Sequence, residues 1–171
     1  DLGGGLDLSC VGMAQVDQEG NVNVSKIGYR IIGCGGFINI TQSTKNVIFA
    51  GEFTAGSAQI EVKDGVLRIL ADGKVRKFVD HVEQITFSGK VSRREGQKVL
   101  FVTERCVFKL VPEGLLLTEI ATGVDLEKDI LGQMGFRPLI APDLKPMDAR
   151  IFQEPPMNCF RAPAAPAIQP G

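Results

Sequence analysis

Residues 46–53, NVIFAGEF, form a continuous apolar run with β-branched side chains. Such a run is typical of a strand that is covered on both faces, and strands of that kind occur in parallel sheets. Earlier in the chain, LSCVGMAQV (8–16) has the composition of a strand, and NVNVS (21–25) alternates strictly with period two. The sequence therefore predicts an α/β fold that contains a partly parallel sheet.

The middle of the chain predicts an antiparallel, β-rich section. Two alternating runs in QIEVKDGVLRIL flank Asp64-Gly65, which favours a hairpin because type I′ turns need positive φ at both central residues. Residues 99–120 predict three strands, joined near Glu104-Arg105 and at 112–114. The basic segment SRREGQK before them predicts an exposed, charged turn.

Few helices are expected. Asp125 is placed to cap a helix with an apolar stripe of Leu126, Ile130 and Leu131, and Gly135 lies where a glycine would end it. The segment FINITQSTK fits either a helical turn or a loop, and FRPLIAP predicts a short strand stopped by proline.

Two regions are expected along the chain. Residues 1–154 suit one domain, and residues 155–171 predict a mobile, proline-rich tail. Because the chain begins at Asp1 inside what reads as a structured segment, we expect a fragment: a processed subunit, a proteolytic product or a truncated form.

Composition argues against several classes of function. A net charge of −1 and only 6% aromatic residues, with no Trp, disfavour nucleic acid as a partner. No apolar run is long enough to span a membrane, and no signal peptide is visible, so we expect a cytoplasmic protein. The four cysteines form no CxxC pair and there is a single histidine, which disfavours a zinc site; free thiols are expected, with disulfides left open.

Candidate catalytic residues are few. His81 lies in FVDHVEQI, where its apolar neighbours predict a solvent-facing strand or turn position rather than a catalytic base. Tyr29 offers no better start for a catalytic site. Glu52, which ends the apolar run near a glycine cluster, is the carboxylate of greatest interest, although a surface role is favoured.

The glycine cluster lies at GCGGF, residues 33–37. It lacks both the G-x-G-x-x-G spacing and the G-K-[ST] ending of phosphate-binding loops. By itself, the cluster predicts a turn that needs positive φ more readily than a ligand contact.

The order of the motifs is more specific than the glycines alone. The segments GGGLDLSCVGMAQVDQEGNVNV, GCGGFINI, ITFSGK, TGVDLE and APDLKPMD follow one another over residues 1–155. In that order they resemble the CoA-transferases of short-chain acids and 3-oxoacids, in particular the propionate/acetate CoA-transferase branch.

The resemblance implies a ping-pong transfer of CoA from a short-chain acyl-CoA to a carboxylic acid such as acetate, through a glutamyl-CoA intermediate. It places the nucleophilic glutamate in an E-[SN]-G-x-x-G motif upstream of GGGLDL. This chain has no E-S-G or E-N-G, so we expect no catalytic residue in it, and the fragment alone to be inactive. The implied partners are the two substrates, the missing N-terminal part and further copies in a homo-oligomer; no cofactor is implied beyond CoA as substrate.

The resemblance also implies a binding segment for the CoA thioester at Gly35, Gly36 and Phe37. Asn39 stands where other branches carry Asp. Lys26 and Arg30 are candidates for a CoA phosphate, and a solvated surface role is equally open. Two alternatives to the transferase are a non-catalytic β-rich interaction domain, in which the glycines serve turns, and an acyl-CoA hydrolase of the same fold.

Overall fold

A computed structural model describes residues 5–157 and 159 of the chain. Strands dominate, and the helices are short. The elements in chain order are β1 (Leu8–Gly12), β2 (Gln15–Val16), β3 (Val22–Asn23), β4 (Lys26–Ile27), β5 (Arg30–Ile31), α1 (Phe37–Ser43), β6 (Asn46–Ala50), β7 (Thr54–Ala55), β8 (Gln59–Lys63), β9 (Val66–Ala71), β10 (Val75–Arg76), α2 (Gly89–Arg94), β11 (Lys98–Val102), β12 (Cys106–Val111), β13 (Gly114–Ile120), a π-helical turn (Leu126–Ile130), a 3₁₀ turn (Leu131–Gln133), β14 (Leu139–Pro146) and a second 3₁₀ turn (Ala149–Phe152).

A mixed sheet organises the fold, with strand order β1-β6-β11-β12-β13-β14. β6 pairs in parallel with β1 on one side and with β11 on the other. β12 runs antiparallel to β11 and β13, and β14 is parallel to β13. The parallel strand predicted within 46–53 is confirmed as β6, although it ends at Ala50, and the three strands predicted over 99–120 and the α/β fold class are confirmed as well.

Only one face of β6 is fully covered. Val47 and Phe49 are buried, whereas Ile48 on the opposite face is half-buried. The expectation that both faces are covered is therefore wrong within the described residues. The physical reason is that the β8–β9 hairpin and the turn at 149–152 cover only part of the second face, through a small cluster of Leu67, Val107, Ala121, Met147 and Phe152.

Phenylalanine rings form the centre of the main core. The Phe49 ring lies 5.8 Å from Phe37, 4.9 Å from Phe87 and 5.2 Å from Phe101, measured between centroids. A second group stacks beside it, with Phe78 at 4.8 Å from Phe53. Centroid separations in this range are those at which aromatic pairs add to the stabilisation from burial.

The Asp64-Gly65 hairpin forms as predicted. Lys63 pairs with Val66 across the turn, which joins β8 to β9. Asp64 has φ 54° and Gly65 has φ 76°, the two positive values that a type I′ turn requires.

The charged segment SRREGQK forms the predicted exposed turn only at residues 95–96. Its first half belongs to α2, whose N-cap is Ser88: the Ser88 hydroxyl oxygen accepts a hydrogen bond from the backbone N–H of Val91 at 3.3 Å. Gly96, with φ 71°, then ends the helical turn, and its N–H donates to the Arg93 carbonyl at 3.2 Å. The prediction is wrong for residues 92–94, because the charged side chains indicate exposure but not conformation, whereas Ser88 and Gly96 are the residue types that begin and end a helix.

The helix expected after Asp125 forms in a less regular way. The Asp125 carboxylate accepts from the Lys128 N–H at 2.7 Å, which confirms the cap, but a π turn and a 3₁₀ turn replace an α-helix. Gly135 does not end it in a left-handed conformation; its N–H instead donates to the Phe78 carbonyl at 2.9 Å.

Pro142 does not stop the last strand, which continues to Pro146. β14 lies at the edge of the sheet, where a missing N–H is tolerated. The pairing with β13 also shifts register between Leu117 and Glu119, so the irregular pairing accommodates the proline.

Two questions that the sequence leaves open are answered by the structure. The segment FINITQSTK is helical over 37–43 rather than a loop. All four cysteines are free thiols, so none forms a disulfide in this chain. Most of the predicted tail at 155–171 lies outside the described residues. Within the part of the chain that is described, none of the helices is both long and apolar enough to cross a membrane.

Arg105 links the β11–β12 turn to three other segments. Its side chain is fully buried, and its guanidinium contacts Asp72 at 2.6 Å and Glu104 at 3.0 Å. It also donates to the Asp129 carbonyl at 2.7 Å and to the Thr54 hydroxyl at 3.3 Å. Such a dense set of acceptors compensates for the desolvation of the charge.

We expect Arg105→Met to lower the free energy of unfolding by about 3 kcal/mol, because the Asp72 and Glu104 carboxylates lose their partner. Urea denaturation of the chain followed by circular dichroism measures this. The control is Arg137→Met, which removes an ion pair to Glu127 whose two side chains are 67% and 69% exposed, and which should change little. Equal effects of the two substitutions would contradict the assigned role of Arg105.

Candidate functional site

The glycine cluster connects β5 to α1. Gly33 and Gly35 have φ values of 80° and 49°, and Gly36 is the N-cap residue of α1 with φ −80°. The Phe37 N–H donates to the Cys34 carbonyl at 3.0 Å, which closes the turn. The backbone N–H groups of Gly35 and Gly36, in contrast, donate to no acceptor among residues 5–157 and 159.

The fold explains Gly35 but not Gly36. At Gly35 the positive φ disfavours other residues. At Gly36 the φ is ordinary, and an added Cβ would meet only Ile40 Cδ1 at 3.6 Å, an ordinary van der Waals distance. Neither backbone conformation nor steric crowding therefore explains the glycine at position 36, which follows directly on Gly35 with its unused N–H.

The cluster lies at the carboxyl edge of the parallel strands. The Gln97 side chain, next to the start of β11, donates to the carbonyls of Thr41 and Thr44 at 2.8 and 2.6 Å, so the end of α1 lies at the amino edge. The beginning of α1 lies towards the opposite edge, because Phe37 packs on Phe49 near the carboxyl end of β6. In open α/β sheets, ligands bind at this carboxyl edge.

The residues that follow β6 and β11 lie at the same edge. Gly51 and Glu52 line a cleft of about 340 Å³ together with Thr103 and Glu104. Glu52 is exposed and forms no ion pair with a described residue. Glu104 is engaged, since it accepts from the Phe53 N–H at 2.9 Å and from Arg105 Nε at 3.0 Å.

Lys77 is the residue of this edge that sequence reasoning missed. It is only 7% exposed, and a Cβ built on Gly51 would lie 3.0 Å from its Nζ. Burial lowers the pKa of the Lys77 amine below its ordinary value, and the charges of Glu52 and then Glu104 partly oppose that change. Its position follows from pairing with Val16, 61 positions earlier, and no local pattern in the sequence signals that pairing.

The other sequence candidates are not brought together. Lys26 and Arg30 lie on the small β4–β5 hairpin, whose tip carries the fully exposed Tyr29. Asn39 points to solvent from α1. His81 is exposed in a bend, as its neighbours predict.

Phe37 contributes through its ring. The side chain is buried and packs on Phe49, and its N–H is engaged by Cys34. Across the described part of the chain, the histidine, cysteine and acidic side chains form no group that could hold a metal ion.

Comparison with known proteins places this geometry in context. No family model matches the chain. The chain is 52% identical to caffeate CoA-transferase of Acetobacterium woodii over 89% of its length. It is 49% identical to acetate CoA-transferase YdiF of Escherichia coli over 95% of its length. The chain is related to the CoA-transferases.

Solved structures agree with the sequence matches. The apoenzyme of the YdiF acyl-CoA transferase from Escherichia coli superposes with a TM-score of 0.89 at 50% identity, over 95% of this chain. The thioester complex of the same enzyme with CoA matches with a TM-score of 0.87. The chain spans 30% and 31% of the length of the two curated relatives named above.

The two glycines should respond differently to alanine. We expect Gly35→Ala to lower the free energy of unfolding by about 1 kcal/mol, because it forces an L side chain into the left-handed region. Gly36→Ala should stay within about 0.5 kcal/mol of the unsubstituted chain, since a weaker N-cap opposes a less flexible unfolded state. Thermal or urea unfolding measures both, and a large loss at Gly36 would mean that the fold, rather than a ligand, requires that glycine.

Proposed function

We propose that this chain is the C-terminal part of a transferase that moves CoA from a short-chain acyl-CoA to a carboxylic acid such as acetate. The observation that carries the proposal is the pair of unengaged N–H groups at Gly35 and Gly36 at the carboxyl edge, in a chain about half identical to caffeate and acetate CoA-transferases. The nucleophilic glutamate lies outside this chain. The reaction needs no cofactor beyond CoA as substrate.

The chemistry proceeds by carboxylate nucleophilic catalysis. A glutamate oxygen attacks the carbonyl carbon of the acyl-CoA, the C–S bond breaks, and CoA leaves as its thiolate. The thiolate then attacks the glutamyl carbonyl of the mixed anhydride, which releases the first acid as a carboxylate and forms glutamyl-CoA. The second acid attacks that thioester, and the same two steps run in reverse.

Gly35 and Gly36 would act on the oxygen of the thioester. Negative charge develops on that oxygen in each tetrahedral intermediate, and preorganised backbone N–H donors stabilise it. With no Cβ at either position, the substrate can approach the main chain closely. Phe37 would contribute by fixing the loop, because its ring packs on Phe49.

The transferase accounts for Gly36 better than a non-catalytic interaction domain does. A β-rich interaction domain would need glycine only for turns, yet Gly36 has neither a positive φ nor a steric reason to lack a side chain. We further propose that the protein works in the cytoplasm, where its four free thiols stay reduced, and that the whole enzyme is a homo-oligomer.

Mass spectrometry of the full-length protein after incubation with acetyl-CoA tests the proposal. A glutamyl-CoA adduct is expected on a residue outside this chain, and adding propionate should release propionyl-CoA. An adduct that reacts with water alone would indicate a hydrolase. Absence of both adduct and transfer would refute the proposed function.

The matched variant for this test is Gly36→Val. We expect it to lower the rate of transfer at least about 100-fold, because the added side chain keeps the developing oxyanion away from a backbone donor, which costs about as much as losing that donor. The melting temperature should change little, because the space around Gly36 is open. Full activity in Gly36→Val would contradict the role given to this glycine.

A further inference from the structure

Lys77, at the carboxyl edge, is only 7% exposed, and its amino group has no partner among residues 5–157 and 159. The backbone after Lys77 is held by Val16: the Val16 N–H donates to the Lys77 carbonyl at 2.8 Å, and the Val79 N–H donates to the Val16 carbonyl at 2.9 Å. The next residue, Phe78, is locked into the aromatic core against Phe53. The main chain from which the Lys77 side chain starts is therefore fixed in place.

No acceptor compensates for this burial. Within residues 5–157 and 159, the Lys77 ammonium forms neither an ion pair nor a hydrogen bond. Of the two carboxylates that influence it, Glu104 is already engaged by Arg105 and Phe53, and Glu52 is exposed. The amino group is therefore available to an external anion, and at a side chain that is only 7% exposed water screens the attraction less than it does at the surface.

Gly51 leaves a path to this amino group. A side chain at Gly51 would come within 3.0 Å of Nζ, closer than ordinary contacts. Because side chains alternate along a strand, position 51 faces the same side of the sheet as Phe49. Phe49 packs on Phe37, which follows the glycine cluster directly. Lys77 and the unengaged N–H groups of Gly35 and Gly36 thus lie on one face, at one edge.

We propose that the Lys77 ammonium binds the carboxylate of the acid substrate. This inference rests on the proposed function and adds a residue that selects the acceptor. The chemistry favours a small monoanion: one ammonium balances one negative charge, and the nearby Glu52 and Glu104 repel a dianionic phosphate. The cations expected for a CoA phosphate, Lys26 and Arg30, lie instead on the β4–β5 hairpin.

Lys77 has a defined part in the transfer. It holds one oxygen of the acid while the other oxygen attacks the carbonyl carbon of glutamyl-CoA, from which the thiolate leaves. No proton moves in this step, so the ammonium stays protonated throughout. The result is an acceptor placed beside the thioester that the glycine N–H groups polarise.

The test uses the full-length protein loaded as glutamyl-CoA and mixed rapidly with increasing concentrations of acetate. In Lys77→Met, the acetate concentration that gives the half-maximal rate of resolution should rise about tenfold or more, the loss of one charge-assisted contact. Gly51→Ala should raise it as well, because the added methyl group crowds Nζ. Lys90→Met, an exposed lysine on α2, should leave it unchanged.

Hydroxylamine separates binding of the acid from a general defect. It is an uncharged nucleophile at neutral pH and resolves glutamyl-CoA without a carboxylate, so Lys77→Met and the wild type should react with it equally. An unchanged acetate dependence, or an equal loss with acetate and hydroxylamine, would overturn the role of Lys77. Failure of the wild type to form the adduct would instead overturn the proposed function.

Discussion

Packing of Phe49 on Phe37 is the contact on which the geometry of the candidate site depends. Phe49 lies in β6, the strand that pairs in parallel with both β1 and β11. Phe37 is the first residue of α1. Their contact fixes the beginning of the helix against the sheet, and with it the loop that carries Gly35 and Gly36.

Two buried cations of this structure are held in different ways. Arg105 is neutralised by Asp72 and Glu104 and contributes to stability. Lys77 is buried and has no partner among the described residues. A cation that already holds its carboxylates cannot bind a substrate without losing them, whereas Lys77 is available. The unengaged N–H groups of Gly35 and Gly36 add two hydrogen-bond donors, which, like the ammonium group, favour an oxygen that gains negative charge.

Local chemistry made the strands and turns predictable. The Asp64-Gly65 hairpin follows from two residues that tolerate positive φ, and the parallel strand from an uninterrupted apolar run. The helix α2 was missed although Ser88 and Gly96, which cap it, stand in the sequence, because basic side chains were given more weight than caps. The resemblance to CoA-transferases indicates the glycine loop from the sequence alone, whereas the position of the loop beside the sheet follows from the fold.

The remainder of the site depends on contacts between distant parts of the chain. Lys77 is buried because residues 16 and 77–79 pair. The Phe37 N–H is not available to a ligand because it donates to the Cys34 carbonyl in the folded loop. Neither fact has a periodic or compositional signature. A lysine in a mixed sequence looks like surface until its neighbours are in place.

A structure of the full-length protein with a bound CoA thioester tests the central claim most directly. The account predicts the thioester oxygen about 3 Å from the backbone nitrogen of Gly35 or Gly36, the distance of an N–H···O hydrogen bond. A thioester bound elsewhere, with both N–H groups facing solvent, would contradict it.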